Sequence, residues 1–149
     1  MSFENSKLQE VVSVFLRAKD GSFLMQLRDN IPSIVFPGNW GLFGGAIENG
    51  ESARAAVCRE LEEEIDLNVV PKEIYEFRHY LQSNYSVHTY CCHLRYSPSK
   101  LNLQEGADFG LFPINEILTG RLFSQKFQAY FDVAEPLRGY FLDISKVIR

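Results

Sequence analysis

Cysteine pairs, long apolar runs and basic clusters are all missing from this chain of 149 residues. Cys58, Cys91 and Cys92 are odd in number and have no CxxC spacing, so we expect neither a zinc site nor a disulfide framework. Unpaired thiols favour a reducing, cytoplasmic location. Because no apolar run reaches bilayer length and no basic segment leads into one, we expect no membrane segment and no signal peptide.

The charge distribution argues against a nucleic-acid polymer as a partner. The formal net charge is −4, and the 15 lysines and arginines are scattered along the chain. Binding a polymer needs a continuous cationic footprint, which this sequence does not offer. A small anionic substrate is compatible with the acidic balance, since a bound metal ion inverts the local potential of an acidic helix.

What the sequence does contain is the composition of an ordinary globular domain, with 46% apolar and 23% charged residues. We find no internal repeat, no low-complexity tract and no linker, so residues 1–149 are expected to form a single domain. The polar residues 1–7 are expected to be frayed.

Local patterns predict strands interleaved with helices. Turn residues, proline and glycine separate the elements of the N-terminal half, which are strands over 11–18, 23–28 and 40–43, a loop over 30–40, and a helix from an N-cap at Ser52 to about residue 66. The C-terminal half predicts strands over 74–81, 87–96 and 109–112, a short helix over 114–118 with Pro113 at its N1 position, and a helix over 124–133 that ends before Pro136. The fold class is therefore α/β, a mixed sheet sandwiched between α-helices.

The most informative segment covers residues 44–67 and reads GGAIENGESARAAVCRELEEEIDL. Glu60, Glu63 and Glu64 span about 100° of the helix circumference, so their carboxylates converge. Such a run is usually a solvated helix face. Converging carboxylates repel one another unless a cation neutralises them, and Mg²⁺ or Mn²⁺ prefers oxygen ligands of this kind.

The spacing of the whole segment decides between these interpretations. It reads Gly45-x5-Glu51-x7-Arg59-Glu60-Leu61-x-Glu63-Glu64-x-Asp66-Leu67, which resembles the Nudix box of hydrolases that cleave nucleoside diphosphates linked to another group. A chance match is on the order of 10⁻⁸ to 10⁻⁹ per starting position. One position departs, because the family usually has glycine where this chain has Asp66. Asp66 or Asn68 could adopt the left-handed conformation that ends the helix.

The resemblance implies a role for each matching residue. Glu63 and Glu64 match the principal metal-ligand pair, and Glu60 matches a further ligand or the general base. The carbonyl of Gly44 is implied as an additional metal ligand, and Mg²⁺ as the cofactor, with Mn²⁺ as an alternative. Glu51 and Arg59 match an ion pair that braces the loop against the helix, and Gly45 opens the box.

Residues outside this segment supply further candidates for the site. Relatives often carry an extra catalytic or metal-binding glutamate near the position of Glu105, although a solvated loop acid fits equally well. Arg28 ends a strand where relatives often place a phosphate-contacting arginine, and an exposed strand end is the alternative. Trp40 offers an aromatic surface on which a base could stack. His79, His88 and His93 show no metal-ligand spacing, so they are expected to be packing or surface residues.

Together these features predict metal-assisted attack of water on one phosphorus of a diphosphate linkage. The substrate is expected to be a small nucleotide, with a nucleoside triphosphate, standard or modified, as the default. Relatives are often dimers, so a homodimer is possible. The alternative is a Nudix-fold binding or regulatory module without catalysis, which would be expected to lack some of the carboxylates present here.

Overall fold

The computed structural model describes residues 7–148, so residues 1–6 of the segment expected to be frayed lie outside the described residues. None of the helices among residues 7–148 combines the length and the hydrophobicity of a membrane-spanning segment. The described chain forms nine strands and three α-helices: β1 (Gln9–Arg17), β2 (Phe23–Leu27), β3 (Trp40–Gly41), β4 (Phe43–Ala46), α1 (Ala53–Ile65), β5 (Ile74–Gln82), β6 (Tyr85–His93), β7 (Asp108–Phe112), α2 (Ile114–Ile117), β8 (Arg121–Ser124), β9 (Ala129–Asp132) and α3 (Leu137–Ser145).

Seven of these strands form one mixed sheet whose main path is β3-β2-β1-β6-β5. Strands β1 and β6 are parallel, in register from Gln9 opposite Tyr85 to Arg17 opposite His93. The other pairs are antiparallel, including β4 along the first half of β1 and β7 along β2. The predicted mixed sheet is thus confirmed, and the segment predicted as one strand over 40–43 is divided between β3 and β4.

Helices cover both faces of this sheet, as predicted. On one face Val12, Val14 and Leu16 of β1 pack against the apolar side of α1. On the other face Phe15 packs against Phe141 of α3, with ring centroids 5.1 Å apart. Alternate side chains of one central strand therefore enter two separate cores, because successive residues of a strand point to opposite faces.

Helix α1 begins and ends at local signals in its sequence. The Ser52 hydroxyl accepts a hydrogen bond from the Ala55 N–H at 3.1 Å and caps the first turn. Asp66 caps the C-terminus in the left-handed conformation, with φ of 55°, and its N–H donates to the Glu62 carbonyl at 3.0 Å. Aspartate thus takes the conformation for which the family motif uses glycine.

The helix predicted over residues 124–133 is wrong, because that region is the second half of a β-hairpin. Strands β8 and β9 pair from Arg121 opposite Asp132 to Ser124 opposite Ala129. The turn between them contains Gln128 at φ of 53°, and the Ser124 hydroxyl accepts from the Phe127 N–H at 3.2 Å. These turn contacts reverse the direction of the chain between β8 and β9, which is incompatible with a helix over residues 124–133.

The C-terminal helix α3 follows the hairpin and was not predicted. Pro136 is its N-cap residue, so the proline begins a helix where an interruption was expected. The buried side chains of α3 follow the spacing i, i+3, i+4 and i+7: Leu137, Tyr140, Phe141 and Ile144. Pro113 likewise stands at the N-cap of α2, one position earlier than predicted.

Candidate active site

Strand β4 and helix α1 bring the paired glycines and the helix carboxylates together. A Cβ on Gly44 would lie 1.9 Å from the Val12 carbonyl oxygen, so only glycine allows β4 to approach β1 this closely. A Cβ on Gly45 would lie 2.3 Å from Oε1 of Glu60. The glycine backbone thus packs directly against β1 on one side and against a carboxylate on the other.

Glu64 is the most buried acid of a group that we name the carboxylate cluster, formed by Glu60, Glu63, Glu64 and Glu105. Glu64 is 4% exposed, and its Oε2 accepts from the Gly44 N–H at 3.1 Å. Burial, followed by the charge of Glu60, raises the pKa of Glu64 to about 9, although the Gly44 hydrogen bond opposes the rise. Without a cation, the Glu64 carboxyl therefore retains its proton at neutral pH.

Glu60 lies beside Glu64 and is also buried, with 9% exposure. Burial raises the pKa of Glu60, and the negative charges of Glu63 and Glu105 add to the rise, while Arg59 counteracts it. Charge repulsion within the carboxylate cluster is thus only partly neutralised by the protein itself.

Arg59 joins the loop after β4 to helix α1. Its Nε and Nη2 donate to the two carboxylate oxygens of Glu51 at 2.8 and 3.0 Å, and Nη2 also donates to the Ala46 carbonyl at 2.9 Å. Its Nη1 donates to Glu60 at 2.9 Å and to Glu63 at 3.2 Å. Glu51 and Arg59, expected to form an ion pair, are therefore in bidentate contact, and the same guanidinium orients two acids of the cluster.

The loop after β6 carries Glu105 to the C-terminal part of α1. The N–H groups of Gln104 and Glu105 donate to the Glu64 carbonyl at 2.8 and 3.4 Å, and the Glu105 carbonyl accepts from Gln26 Nε2 at 3.0 Å. The Glu105 side chain is exposed, and its charge raises the pKa of both Glu60 and Glu64. The structure thus brings Glu105 close to the helix acids, as required for a role in their site.

The donor set of the carboxylate cluster fits a hard divalent cation. Glu60 and Glu64 are buried while Glu63 and Glu105 are exposed, and burial and mutual repulsion raise the pKa of both buried acids. Among residues 7–148, only Arg59 forms ion pairs with acids of this cluster, namely Glu60 and Glu63. All available donors are oxygens, which Mg²⁺ and Mn²⁺ prefer. A divalent cation would replace the proton that burial forces onto Glu64 and would relieve the repulsion between Glu60 and Glu64.

A cleft of about 280 Å³ opens on the other side of the Gly44–Gly45 backbone. Its apolar and aromatic walls are formed by Val11, Phe36, Leu42, Tyr85, Val87 and Tyr140. Its polar groups come from Gln9, Gln82 and Arg28. The Tyr140 hydroxyl donates to Gln82 Oε1 at 2.5 Å. Because the glycine pair is one wall of this cleft, a bound molecule can extend towards the carboxylate cluster.

Arg28 lies between the cleft and the carboxylate cluster. It lines the cleft, and its charge lowers the pKa of Glu64, which places the guanidinium within electrostatic reach of that acid. Its Nε is buried and makes no hydrogen bond with any residue of the described range 7–148. A buried donor without a partner loses its hydration free energy, so this nitrogen is suited to an anionic oxygen of a ligand.

Trp40 does not line the cleft, contrary to the expected substrate contact. Its ring is fully buried, packs against Phe112 at 4.9 Å between centroids, and donates its Nε1–H to the Leu122 carbonyl at 3.0 Å. The indole is committed to the core between the sheet and the β8–β9 hairpin, so it is not available for stacking on a base. The aromatic residues that line the cleft are Phe36, Tyr85 and Tyr140.

Several cleft residues were missed by sequence reasoning. Tyr140 belongs to the unpredicted helix α3, and Gln82 lies at the end of β5, where no motif marks it. The spacing of apolar residues after Pro136 would have revealed α3. No sequence signal would have revealed that Gln82 and Tyr140 meet, because they lie 58 residues apart in the chain.

A family model described as NUDIX domain matches residues 7–132 of the chain. The curated relatives include Nucleoside triphosphatase NudI of Escherichia coli O139:H28 (strain E24377A / ETEC), which is 36% identical over 67 residues, or 44% of this chain. That match spans 46% of the length of the relative.

Solved structures share the whole fold at low sequence identity. The MutT protein from Methanosarcina mazei Go1 superposes with a TM-score of 0.71 at 22% identity, covering 97% of both chains. The NUDIX domain of Shewanella oneidensis NrtR, in a complex with ADP ribose, superposes with a TM-score of 0.69 at 21% identity, covering 93% of this chain and 87% of that one. These likenesses show a common fold.

Proposed function

Because this chain belongs to the Nudix family, we propose that it hydrolyses a diphosphate linkage in a nucleoside diphosphate derivative with Mg²⁺ or Mn²⁺ as cofactor. One observation carries the proposal: the buried acids Glu60 and Glu64 contact the glycine backbone that forms a wall of the cleft. This arrangement supports a reaction in which a diphosphate lies across Gly44 and Gly45, between the cleft and the cation-binding acids.

The carboxylates of Glu60, Glu63, Glu64 and Glu105 would hold the cation, together with the backbone carbonyl of Gly44. When bound, a divalent cation neutralises the diphosphate oxygens and makes a nearby water more acidic. Gly44 donates its N–H to Glu64 and Arg59 donates to Glu60 and Glu63, so three of the acids are oriented before any ligand arrives. Preorganised charge of this kind stabilises the transition state without reorganisation.

In the chemical step the oxygen of water forms a bond to one phosphorus while the bond from that phosphorus to the bridging oxygen breaks. The leaving phosphate takes the bonding electron pair, and the proton of the water passes to an acid of the carboxylate cluster. Arg28 donates to oxygens of the diphosphate and compensates for their charge. The general base is one of Glu60, Glu63, Glu64 and Glu105, and substitution of each acid separately identifies it.

The cleft supports a nucleoside as the group attached to the diphosphate. Phe36, Tyr85 and Tyr140 offer aromatic surfaces for a base, and the amides of Gln9 and Gln82 offer donors and acceptors for its edge. The relative called Nucleoside triphosphatase NudI makes a nucleoside triphosphate the first substrate to test. A modified base is compatible with the same cleft.

A binding or regulatory module without turnover is the alternative. Glu60, Glu63 and Glu64 are all present and Glu105 lies beside them, which favours the enzyme. The two functions are distinguished by incubating the protein with Mg²⁺ and nucleoside triphosphates, dinucleotides, ADP-ribose or nucleotide sugars and identifying the products. Binding of one of these compounds without any product would favour the module.

The decisive control is the double variant Glu63→Gln/Glu64→Gln. It retains the shapes of both side chains but removes two negative charges, so we expect turnover to be abolished while the protein stays folded by circular dichroism. Undiminished turnover would refute the mechanism. Glu62→Gln is the matched control, because Glu62 is exposed on the same helix and lies outside the carboxylate cluster.

Location and assembly are further parts of the proposal. Cys58, Cys91 and Cys92 are free thiols, which supports a reducing cytoplasmic location, testable by cell fractionation. A homodimer is testable by light scattering coupled to size-exclusion chromatography. The expected small-molecule substrate and the absence of a nucleic-acid partner are tested together by adding duplex and single-stranded DNA to the turnover assay, where we expect no competition.

A further inference from the structure

Three neighbouring strands place two histidines and a glutamate side by side, and none of the three belongs to the carboxylate cluster. Glu10 is on β1, His88 is on β6 and His79 is on β5, and one ligating atom from each lies within 4.8 Å of the other two. The imidazole rings of His79 and His88 are stacked with centroids 4.5 Å apart. We name this group the histidine cluster.

The strand register explains how these residues meet. In the parallel pair β1–β6, Glu10 is opposite Ser86 and Val12 is opposite His88, so Glu10 and His88 are diagonal neighbours on one face. In the antiparallel pair β5–β6, His79 is directly opposite His88. Three side chains from three strands therefore converge on the same face of the sheet.

A β-bulge makes this convergence possible. Glu76 pairs with Tyr90 and His79 pairs with His88, so β5 advances by three residues where β6 advances by two. Without the extra residue, His79 would point to the opposite face, because side chains alternate along a strand. The buried Thr89 hydroxyl fixes the bulge, since it accepts from the Arg78 N–H at 3.0 Å and donates to the Arg78 carbonyl at 2.7 Å.

We propose that Glu10, His79 and His88 form a transition-metal site for Zn²⁺ that shares no residue with the carboxylate cluster. Two imidazoles and one carboxylate are a donor set that proteins use for zinc and related ions, and a donor set that Mg²⁺ does not prefer. The side chains of His88 and Glu10 are 29% and 48% exposed, so the site is open to solvent and leaves a coordination position for water. It contains no cysteine, which is why cysteine spacing does not reveal it.

The contacts within the cluster are those that a metal ion would replace. His88 Nε2 and Glu10 Oε2 are hydrogen-bonded at 2.5 Å. Two ligands of a tetrahedral zinc ion stand about 3.3 Å apart for bonds of about 2.0 to 2.1 Å, so a small rotation of the exposed Glu10 side chain opens the required space. A bound ion would then take the place of this hydrogen bond between the two side chains.

Ser86 hydrogen-bonds two of the three proposed ligands. It is 3% exposed, its hydroxyl contacts His79 Nε2, and it hydrogen-bonds Glu10. A buried hydroxyl that contacts two of the three ligands limits their rotamers and supports the metal-binding arrangement.

The test is zinc binding by equilibrium dialysis with metal analysis, in a large excess of Mg²⁺ that occupies the carboxylate cluster. We expect the wild-type protein to retain one equivalent of Zn²⁺, and His79→Gln and His88→Gln each to reduce its affinity at least tenfold. His93→Gln is the matched control, because His93 is an exposed histidine on the same strand outside the cluster and its loss should change nothing. Equal zinc binding by all four proteins, or none by the wild type, would overturn the proposal.

Replacing zinc by Co²⁺ identifies the ligands. A site of nitrogen and oxygen donors gives visible absorption without the thiolate-to-metal band in the near ultraviolet, so that band would assign the bound ion to cysteine and refute the site. We also expect the Co²⁺ absorption to survive in the Glu63→Gln/Glu64→Gln variant. Because neither measurement requires turnover, failure of this proposal and failure of the proposed hydrolase function are distinguishable.

Discussion

The backbone of Gly45 packs against the carboxylate of Glu60, leaving no room for even a methyl group: a Cβ there would lie 2.3 Å from Oε1. The neighbouring Gly44 is equally restricted, but by backbone, since its Cβ would lie 1.9 Å from the Val12 carbonyl oxygen. A carboxylate at the end of a flexible side chain can move away, whereas a carbonyl inside the sheet cannot. Two adjacent glycines therefore have different roles that substitution can separate.

Gly45→Ala is expected to displace the Glu60 carboxylate and reduce turnover at least tenfold, with little change in the midpoint of thermal unfolding. Gly44→Ala is expected to separate β4 from β1 and destabilise the protein by at least about 2 kcal/mol. Thermal and urea unfolding measure the stabilities of the two variants, and the nucleotide assay measures their turnover. If Gly45→Ala retained full activity, the position of the Glu60 carboxylate would not matter for catalysis.

Glu64→Gln is expected to stabilise the metal-free protein while inactivating it. Glutamine keeps the acceptor for the Gly44 N–H and removes the buried ionisable group. The pKa of Glu64 is raised from 4.5 to about 9 on folding, so between these pH values the unfolded chain releases a proton that the folded chain retains. Stability of the wild-type protein in chelator should therefore fall as the pH rises from about 4.5 to about 9.

Thermal unfolding at several pH values in this window measures that contribution. We expect the melting temperature of the wild type to fall more steeply with pH than that of Glu64→Gln. The exposed acid Glu62, substituted as Glu62→Gln, should leave the wild-type slope unchanged. Parallel curves for wild type and Glu64→Gln would contradict the assignment of the buried proton to Glu64.

Arg59→Met is expected to lower the free energy of unfolding, because Glu51 and Glu60 would lose their charged hydrogen-bond partner. The side chains of Arg59 and Glu51 are 22% and 15% exposed, so solvent screens the pair only in part. A double-mutant cycle with Glu51→Gln measures the coupling in urea unfolding. Strictly additive effects would mean that the bidentate contact contributes no coupling energy.

Arg28→Met is expected to weaken nucleotide binding about tenfold or more, since its guanidinium would lose charged hydrogen bonds to phosphate oxygens. Calorimetry with a non-hydrolysable nucleotide analogue measures the loss directly. Arg138→Met is the control, because Arg138 is an exposed arginine of α3 outside the cleft. Equal affinities of the two variants would exclude Arg28 from phosphate binding.

Thr89→Val is expected to weaken zinc binding at the histidine cluster, although the Thr89 hydroxyl hydrogen-bonds the backbone of Arg78 and is not itself a ligand of that site. Valine preserves the shape of the side chain but leaves the Arg78 N–H and carbonyl without their partner, so the bulge that turns His79 towards His88 is lost. Thr89→Ser retains the hydroxyl and should restore zinc affinity. A purely structural effect would lower the stability of Thr89→Val without changing its zinc affinity.

The candidate site was predicted largely because its parts are local. Ser52, the apolar face of α1 and Asp66 specify the helix through neighbouring residues, and a helix with a known start places Glu60, Glu63 and Glu64 on one side whatever surrounds it. The roles implied for these acids stay predictions, while their convergence follows from helix geometry.

The wrong predictions concern regions whose structure depends on contacts between residues far apart in the chain. The aromatic pattern of residues 124–133 suits either a helix or a strand, and the pairing of β8 with β9 selects the strand. Trp40 offered an aromatic surface, and only its burial against Phe112 removed it from the cleft. His79 and His88 have no informative spacing, since a bulge and a strand register bring them together.

The sequence by itself thus determined the family, the α/β class and the acidic helix, because periodicity, caps and a motif act over a few residues. Only the tertiary structure decided which carboxylates are buried enough to retain a proton, which aromatic residues line the cleft, and which histidines meet. Those properties depend on solvent exclusion and strand register, which arise from contacts between segments far apart in the chain.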